Sequence, residues 1–257
     1  MERSPAHGSR QLKIIDHVEN RVLSNATMNQ DLAAYYRDRA KEYDKVYLNP
    51  PEQDDLLTAA RLFQNLFSQK VILEIACGTG YWTEKIAQTA ASVDATDINE
   101  QVIEIARERP MPGKVTFSTA DMYDLMPGNI QYDGLFGGFI WSHILLQDLD
   151  VLMDRWSGFL KEGGTMVFID SNPVENTPHD TRNITETDEH GNTYQTRTLE
   201  NGTRHRVLKN FPTPEFLFQK LSRAGTDIEI VHLTHYWIAT CKRKTTKNAP
   251  ASNTEKK

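Results

Sequence analysis

The chemistry-bearing residues fall at regular intervals along the first half of the chain. Glu74-Ile75-Ala76-Cys77-Gly78-Thr79-Gly80-Tyr81 follows a short apolar run, with small residues at 76, 78 and 80. Such a turn lets a ligand approach the backbone where a side chain would collide. The helix expected after it offers free N–H groups to an acceptor or an anion. Asp97 is positioned to accept hydrogen bonds from both hydroxyls of a ribose, and Asp121 to meet an exocyclic amine. Further along stand candidates for acid–base work: His143, whose imidazole titrates near neutral pH, His205 and Asp170. Arg197, Arg204 and Arg206 could hold an acidic group through their guanidinium forks. Each has a plainer alternative. Glu74 could cap a turn, although a carboxylate ending an apolar strand is costly unless paired. His143 could merely order Trp141, and the three arginines could be solvated.

Positioning these residues requires an alternating α/β chain. Val71 to Ile75 reads as a strand, and Trp82 to Gln88 as the helix after the turn. Ser92 to Asp97, Val115 to Thr119, Tyr132 to Phe136 and Thr165 to Asp170 read as four more strands, with helices at Glu100 to Glu108 and Leu149 to Leu160. Leu56, Ala59, Ala60, Phe63 and Phe67 form one stripe of an earlier helix over Asp54 to Phe67, and Asp31 to Tyr47 also has helical spacing. This alternation predicts right-handed crossovers and a mainly parallel, doubly wound sheet. Ligands bind such sheets beyond the carboxyl ends of the strands, where Asp97 and Asp121 fall. After the fifth strand a polar stretch contains a β-hairpin, Tyr194 to Leu199 and Arg204 to Leu208, around Asn201-Gly202. Pro214 to Ala224 resumes as a helix, and Asp227 to Leu233 and Tyr236 to Cys241 finish as strands.

The chain has 257 residues, 39% hydrophobic and 25% charged, with a formal charge of −6. This is the profile of a folded α/β domain, and not of a surface that binds nucleic acid through net charge. Cys77 and Cys241 are too few for a disulfide scaffold or a multi-cysteine metal site. No run approaches the ~20 apolar residues of a membrane span, and Met1 to Arg10 lacks the apolar core of a secretion signal. The reading is a cytoplasmic chain without membrane or nucleic-acid partners. Residues 1–25 are expected to be a flexible lead. Residues 26–243 form the domain, with lid helices at 26–67 and a substrate-side insertion at 172–210. Residues 244–257 are expected to be a disordered tail.

Glu-Ile-Ala-Cys-Gly-Thr-Gly-Tyr-Trp-Thr at Glu74 to Thr83, followed by Asp97 and then Ala120-Asp121-Met122, resembles the motif series of the class I S-adenosylmethionine-dependent methyltransferases of small-molecule type. The resemblance runs from about Tyr35 to Asp170. It implies a Rossmann-like, seven-stranded sheet with an antiparallel last strand, here Tyr236 to Cys241. It implies S-adenosylmethionine as cofactor, with no metal, and S-adenosylhomocysteine as product. Asp97 would then hold the ribose with Ile98 against the adenine, and Asp121 and Met122 would meet the adenine amine and ring. Gly78 would line the methionine portion. Glu74, Ala76, Gly80, Trp82, Thr83 and Phe139 complete the implied cofactor set. Tyr36, Arg39 and Tyr43 resemble a Tyr-x-x-Arg-Ala-x-x-Tyr-Asp segment that closes over the cofactor, and their spacing puts them on one helix face. Tyr35, Tyr43, Trp141, Arg197 and Arg204 are the candidate acceptor contacts. Ala76 departs from the family pattern, which usually has glycine there.

The surroundings narrow the chemistry. DNA or protein-amide methylation would call for Asn/Asp-Pro-Pro-aromatic after the fourth strand, where Gly137-Gly138-Phe139-Ile140-Trp141 stands instead. Asn49-Pro50-Pro51 precedes the first motif and is followed by Glu52, a loop breaker. Magnesium-dependent catechol methylation would need a carboxylate after the fourth strand, and arsenic methylation more cysteines. What is left is metal-free transfer to an O, N or S nucleophile of a small molecule. Two other readings stay open: an NAD-dependent oxidoreductase, against which Thr83 replaces the third glycine of Gly-x-Gly-x-x-Gly, and a non-catalytic cofactor-binding module. The acceptor and the oligomeric state are not legible.

Overall fold

The computed structural model describes residues 34–39, 44 and 47–245. The proposed leader at 1–25, most of the segment at 26–46 including Tyr43, and the tail beyond 245 lie outside them. Residues 34–39 are helical and are called α1. Helix α2 (Gln53–Phe67) then leads into a central sheet of β1 (Val71–Ile75), β2 (Ser92–Asp97), β3 (Val115–Thr119), β4 (Tyr132–Gly138), β5 (Leu160–Ser171), β9 (Gly225–His232) and β10 (Tyr236–Arg243). The connecting helices are α3 (Tyr81–Ala87), α4 (Glu100–Glu108), α5 (Leu149–Gly158) and α6 (Pro214–Ala224).

The sheet order is β3-β2-β1-β4-β5-β10-β9. The pairs β1–β2, β2–β3, β1–β4 and β4–β5 are parallel, and β10 lies antiparallel between β5 and β9. Strand order therefore reverses between β1 and β4, which opens a crevice at their carboxyl ends. The inner strands β1, β4, β5 and β10 are largely buried on both faces because helices cover both, whereas the edge strands β3 and β9 are mostly exposed. Alternate residues divide between two cores. Ile72, Phe136, Val167, Ile169 and Ile238 pack under α2 to α4, with Phe63 and Phe67. Leu73, Ile75, Leu135, Met166, Phe168 and Trp237 pack under α5 and α6. Each fully buried Leu, Ile or Phe here contributes about 1.5–3 kcal/mol.

Two details differ from the sequence expectation. The fifth strand starts at Leu160, because Glu162-Gly163-Gly164 is an irregularity inside the strand and not a turn before it; Gly163 has φ +70°. The insertion is a three-stranded sheet, in which β6 (Ile184–Thr187) pairs antiparallel with β7 (Thr193–Thr198), which pairs with β8 (Arg204–Leu208). β6 went unread because its sequence, Ile-Thr-Glu-Thr, holds one apolar residue and mostly faces solvent. The β7–β8 turn is where Asn201-Gly202 placed it, with Gly202 at φ +83°.

Buried asparagines fasten this small sheet to the large one. Asn210 N–H donates to the Ser142 carbonyl and its side chain to the Ile144 carbonyl. Asn192 Oδ1 accepts from Leu146 N–H. The insertion is thus pinned beside the turn that follows β4, where His143 sits. Among the described residues no helix is long and apolar enough to cross a membrane.

Candidate active site

Two adjoining spaces open at the carboxyl ends of β1, β2, β3 and β4. The first encloses about 760 Å³ counting its open mouth. Ala76, Gly78, Asp97, Ile98, Asp121, Met122 and Phe139 from the sequence reading all line it, with Asn99, Val102, Ala120, Tyr123, Gly138 and Ile140 added. The second, about 1360 Å³ and open to solvent, lies between the sheet and the insertion. Tyr35, Arg39 and Arg197 line this second chamber. Tyr36, Phe139 and His143 line both and form the partition between them.

The first strand's end is shaped by left-handed backbone. Ala76 has φ +52° and Gly78 φ +55°, and Phe139 at the end of β4 has φ +56°. A residue with a Cβ pays about 1–2 kcal/mol for this conformation, which accounts for the usual glycine at position 76. Side-chain carboxylates brace the crevice. Asp97 Oδ2 accepts the Gly78 N–H and Oδ1 the Asn99 N–H, both at 2.9 Å. Burial raises the Asp97 pKa, an effect these backbone donors oppose. Asp121 Oδ1 accepts Tyr123 N–H at 2.9 Å, and burial raises its pKa too.

Glu74 is buried, and its Oε2 has no hydrogen-bond partner. Burial first, then the charge of Asp97, push its carboxyl up to about 8, against a lowering influence from Thr83. Glu74, Gly80, Trp82 and Thr83 support the pocket from behind and do not line it. Gly80, at φ +81°, packs on Ala106 and Met111, and Trp82 is a core side chain against Phe63. The sequence reading had placed all four at the cofactor.

The segment before α2 is tied to the glycine turn. Asp44 Oδ1 accepts Thr79 Oγ1 at 2.6 Å, and Arg109 reaches Asp44, the Thr79 carbonyl and Glu84 together. Tyr47 stacks flat on Tyr81.

At the partition, the Tyr36 hydroxyl and His143 Nε2 are 2.6 Å apart, and His143 Nδ1 is 2.6 Å from the Leu208 carbonyl. A carbonyl only accepts, so Nδ1 carries the proton and Nε2 accepts from Tyr36. Burial, then the nearby Lys209 charge, hold His143 well below its ordinary pKa. It is a neutral imidazole with both nitrogens engaged.

Other residues singled out from the sequence stand away from both spaces. Asp170 lines neither space, and its carboxylate accepts Ser142 N–H and Oγ, Ser171 N–H and Lys209 Nζ. Those donors and the Lys209 charge lower its pKa despite burial. Trp141 is 1% exposed and packs edge-on against Phe168 and Trp237, because its indole turns into the core. Arg204 is exposed on β8, away from both spaces. His205, half-buried against Tyr35, lines neither, and Arg206 pairs with Glu186. Lys209 was missed: it is 4% exposed and bonded to Ser142 and Asp170. A lysine in a polar insertion gives no sequence signal of burial. His179, also unread, lines the second chamber.

Residues 72–164 match a family model described as a methyltransferase domain. An uncharacterized methyltransferase of Anoxybacillus flavithermus is 24% identical over 148 residues, covering 56% of this chain and 69% of that protein. A malonyl-[acyl-carrier protein] O-methyltransferase of Priestia megaterium is 28% identical over 144 residues, covering 54% of this chain and 50% of its own length. Among solved structures, DhpI in a complex with SAM and HEP is 26% identical, with TM-score 0.69 over 83% of this chain and 97% of that one. DhpI with SAH superposes with TM-score 0.68 at the same identity, over 84% and 97%. Sheet order with an antiparallel β10, the motif turn after β1 and these likenesses make residues 72–164 a methyltransferase domain on the fold of the class I S-adenosylmethionine-dependent methyltransferases.

Proposed function

We propose that the chain moves a methyl group to an O, N or S nucleophile of a small molecule held in the second chamber, by in-line displacement. The observation that supports this most is the shared partition: Tyr36, Phe139 and His143 belong to both spaces, so contents of the two meet there. The first space suits S-adenosylmethionine on its own features. It has a left-handed backbone that keeps side chains out of the turn, and carboxylates just beyond the ends of β2 and β3. Asp97 would hold the ribose hydroxyls, Asp121, Met122 and Ile98 the adenine, and Ala76 and Gly78 the methionine portion. When bound, this cofactor supplies a sulfonium methyl that is already electrophilic.

The protein's own task is orientation and exclusion of water. Phe139 and Tyr36 close the partition. His143, kept neutral, fixes the Tyr36 hydroxyl and offers Nε2 as the proton acceptor behind it. Held neutral by burial and the Lys209 charge, His143 has a free-base nitrogen that can take a proton through Tyr36 as the methyl arrives. Two buried free cysteines fit a reducing compartment, and the cytoplasm is the location we favour.

The test is incubation of a metabolite extract with protein and methyl-labelled S-adenosylmethionine, read by mass spectrometry beside an Asp97→Ala control. A labelled product absent from the control is the expected result. If NADH binds saturably and S-adenosylhomocysteine does not, the oxidoreductase reading replaces this one.

A further inference from the structure

The insertion side of the second chamber carries a cation without a counter-charge. Arg197, half-buried on β7, gives Nη2 to the Pro178 carbonyl and to Gln195 Oε1, each at 2.5 Å and each neutral. Its Nε and Nη1 groups have no partner among the described residues. The ionisable groups that act on it include Tyr35, Tyr36 and another cation, Arg39, and its charge is also felt by Lys209, His179 and His143, none of them a carboxylate. The other arginines of the insertion that bond carboxylates show what is missing: Arg182 holds Asp180 and Arg206 holds Glu186. A half-buried guanidinium with no carboxylate partner favours an anion beside it.

Its surroundings point to the same conclusion. His179 lines the chamber with Arg197, and its Nδ1 is buried with no hydrogen-bond partner, while Nε2 lies 3.4 Å from Ser171 Oγ. Burial, with the charges of Lys209 and Arg197, pushes this imidazole down to about 3, so it is neutral and has an N–H to give. The carboxylates on the chamber wall do not supply the missing charge. Glu52 is taken by Asn49 and the Tyr236 hydroxyl, and Glu200 is exposed at the β7–β8 turn.

We infer that the acceptor carries a small oxyanionic group, carboxylate or phosphate-like, which docks on Arg197 and His179. The anion then fixes one end of the acceptor at the insertion while its nucleophile faces the partition at Tyr36. This rests on the methyl-transfer reading for the nucleophile, but the anion site stands on its own geometry.

The experiment is calorimetric titration of the protein, with and without saturating S-adenosylhomocysteine, using inorganic phosphate, acetate and, as a neutral comparator, glycerol. Saturable binding of phosphate or acetate but not glycerol is expected, and which of the two binds separates a tetrahedral anion from a carboxylate. Arg197→Gln should weaken that binding tenfold or more with S-adenosylhomocysteine affinity unchanged, and His179→Ala should weaken it at least threefold. If Arg197→Gln does not fold, His179→Ala decides alone. The inference is overturned if neither anion binds, or if both bind the folded variants as they bind the original protein. Failure of S-adenosylhomocysteine to bind at all would count against the methyl-transfer reading, and the anion titrations on unloaded protein would still stand.

Discussion

Replacing Asp97 with alanine should cost most of the cofactor affinity. The carboxylate is 8% exposed, and each oxygen already accepts one backbone N–H, from Gly78 and from Asn99. A carboxylate oxygen can accept more than one hydrogen bond, and Asp97 lines the pocket, so each oxygen is assigned one ribose hydroxyl. A hydrogen bond to a charged group is worth about 1.5–3 kcal/mol, so losing two amounts to roughly 3–6 kcal/mol, or about 10²- to 10⁴-fold. The crevice is partly open, so the lower end is expected, about a hundredfold. Titration calorimetry with S-adenosylhomocysteine measures it, with circular dichroism confirming the fold. The two released N–H groups also loosen the turn, and this must be separated from the lost ribose contact. A 2′-deoxy analogue does so: it should bind the original protein at least tenfold more weakly, but should bind Asp97→Ala as the parent compound does. Affinity within threefold of the original in a folded Asp97→Ala would refute the ribose assignment.

Glu74 gives a pH signature of stability. Its carboxyl is raised to about 8 in the folded chain, so the folded state holds the proton more tightly, and stability falls as pH rises from about 4.5 through 8. Glu74→Gln should remove that fall, up to ~5 kcal/mol, in urea unfolding at the two ends of the range; equal slopes would place the charge elsewhere. Ala76→Gly should raise stability by about 0.5–1 kcal/mol, the relief of left-handed strain less the added unfolded-state freedom, and no gain in thermal unfolding would remove the strain argument. His143→Ala should lower kcat at least tenfold and leave S-adenosylhomocysteine affinity within threefold. The original enzyme's rate should show no His143 inflection between about pH 6 and 9, and an inflection near 6.5 that vanishes in the variant would contradict the neutral imidazole.

Alternation of apolar runs and amphipathic stripes carried the central sheet, since β1, β5 and β10 bury both faces and read as near-continuous apolar segments. The crevice residues Asp97, Asp121 and Met122 were legible because a parallel sheet delivers every strand's carboxyl end to one edge. Side-chain direction was not. Trp141 and Phe139 stand two residues apart after β4, yet one is buried in the core and the other lines the partition, with Phe139 at positive φ. Pattern is equally silent on partners across long separations. Asp170 looked like a free strand-end carboxylate, and only its closeness to Lys209, brought by the insertion, makes it a buried ion pair. The Tyr36–His143 contact is of the same kind: both residues were legible, and their pairing was not.

The most direct test is a crystal structure of the protein with S-adenosylhomocysteine. The account predicts the ribose on Asp97, the adenine between Ile98 and Met122, and the sulfur turned toward the Tyr36–Phe139–His143 partition, with the second chamber open beyond it. A sulfur facing away from that partition, or a ligand outside the β1–β4 crevice, would contradict it.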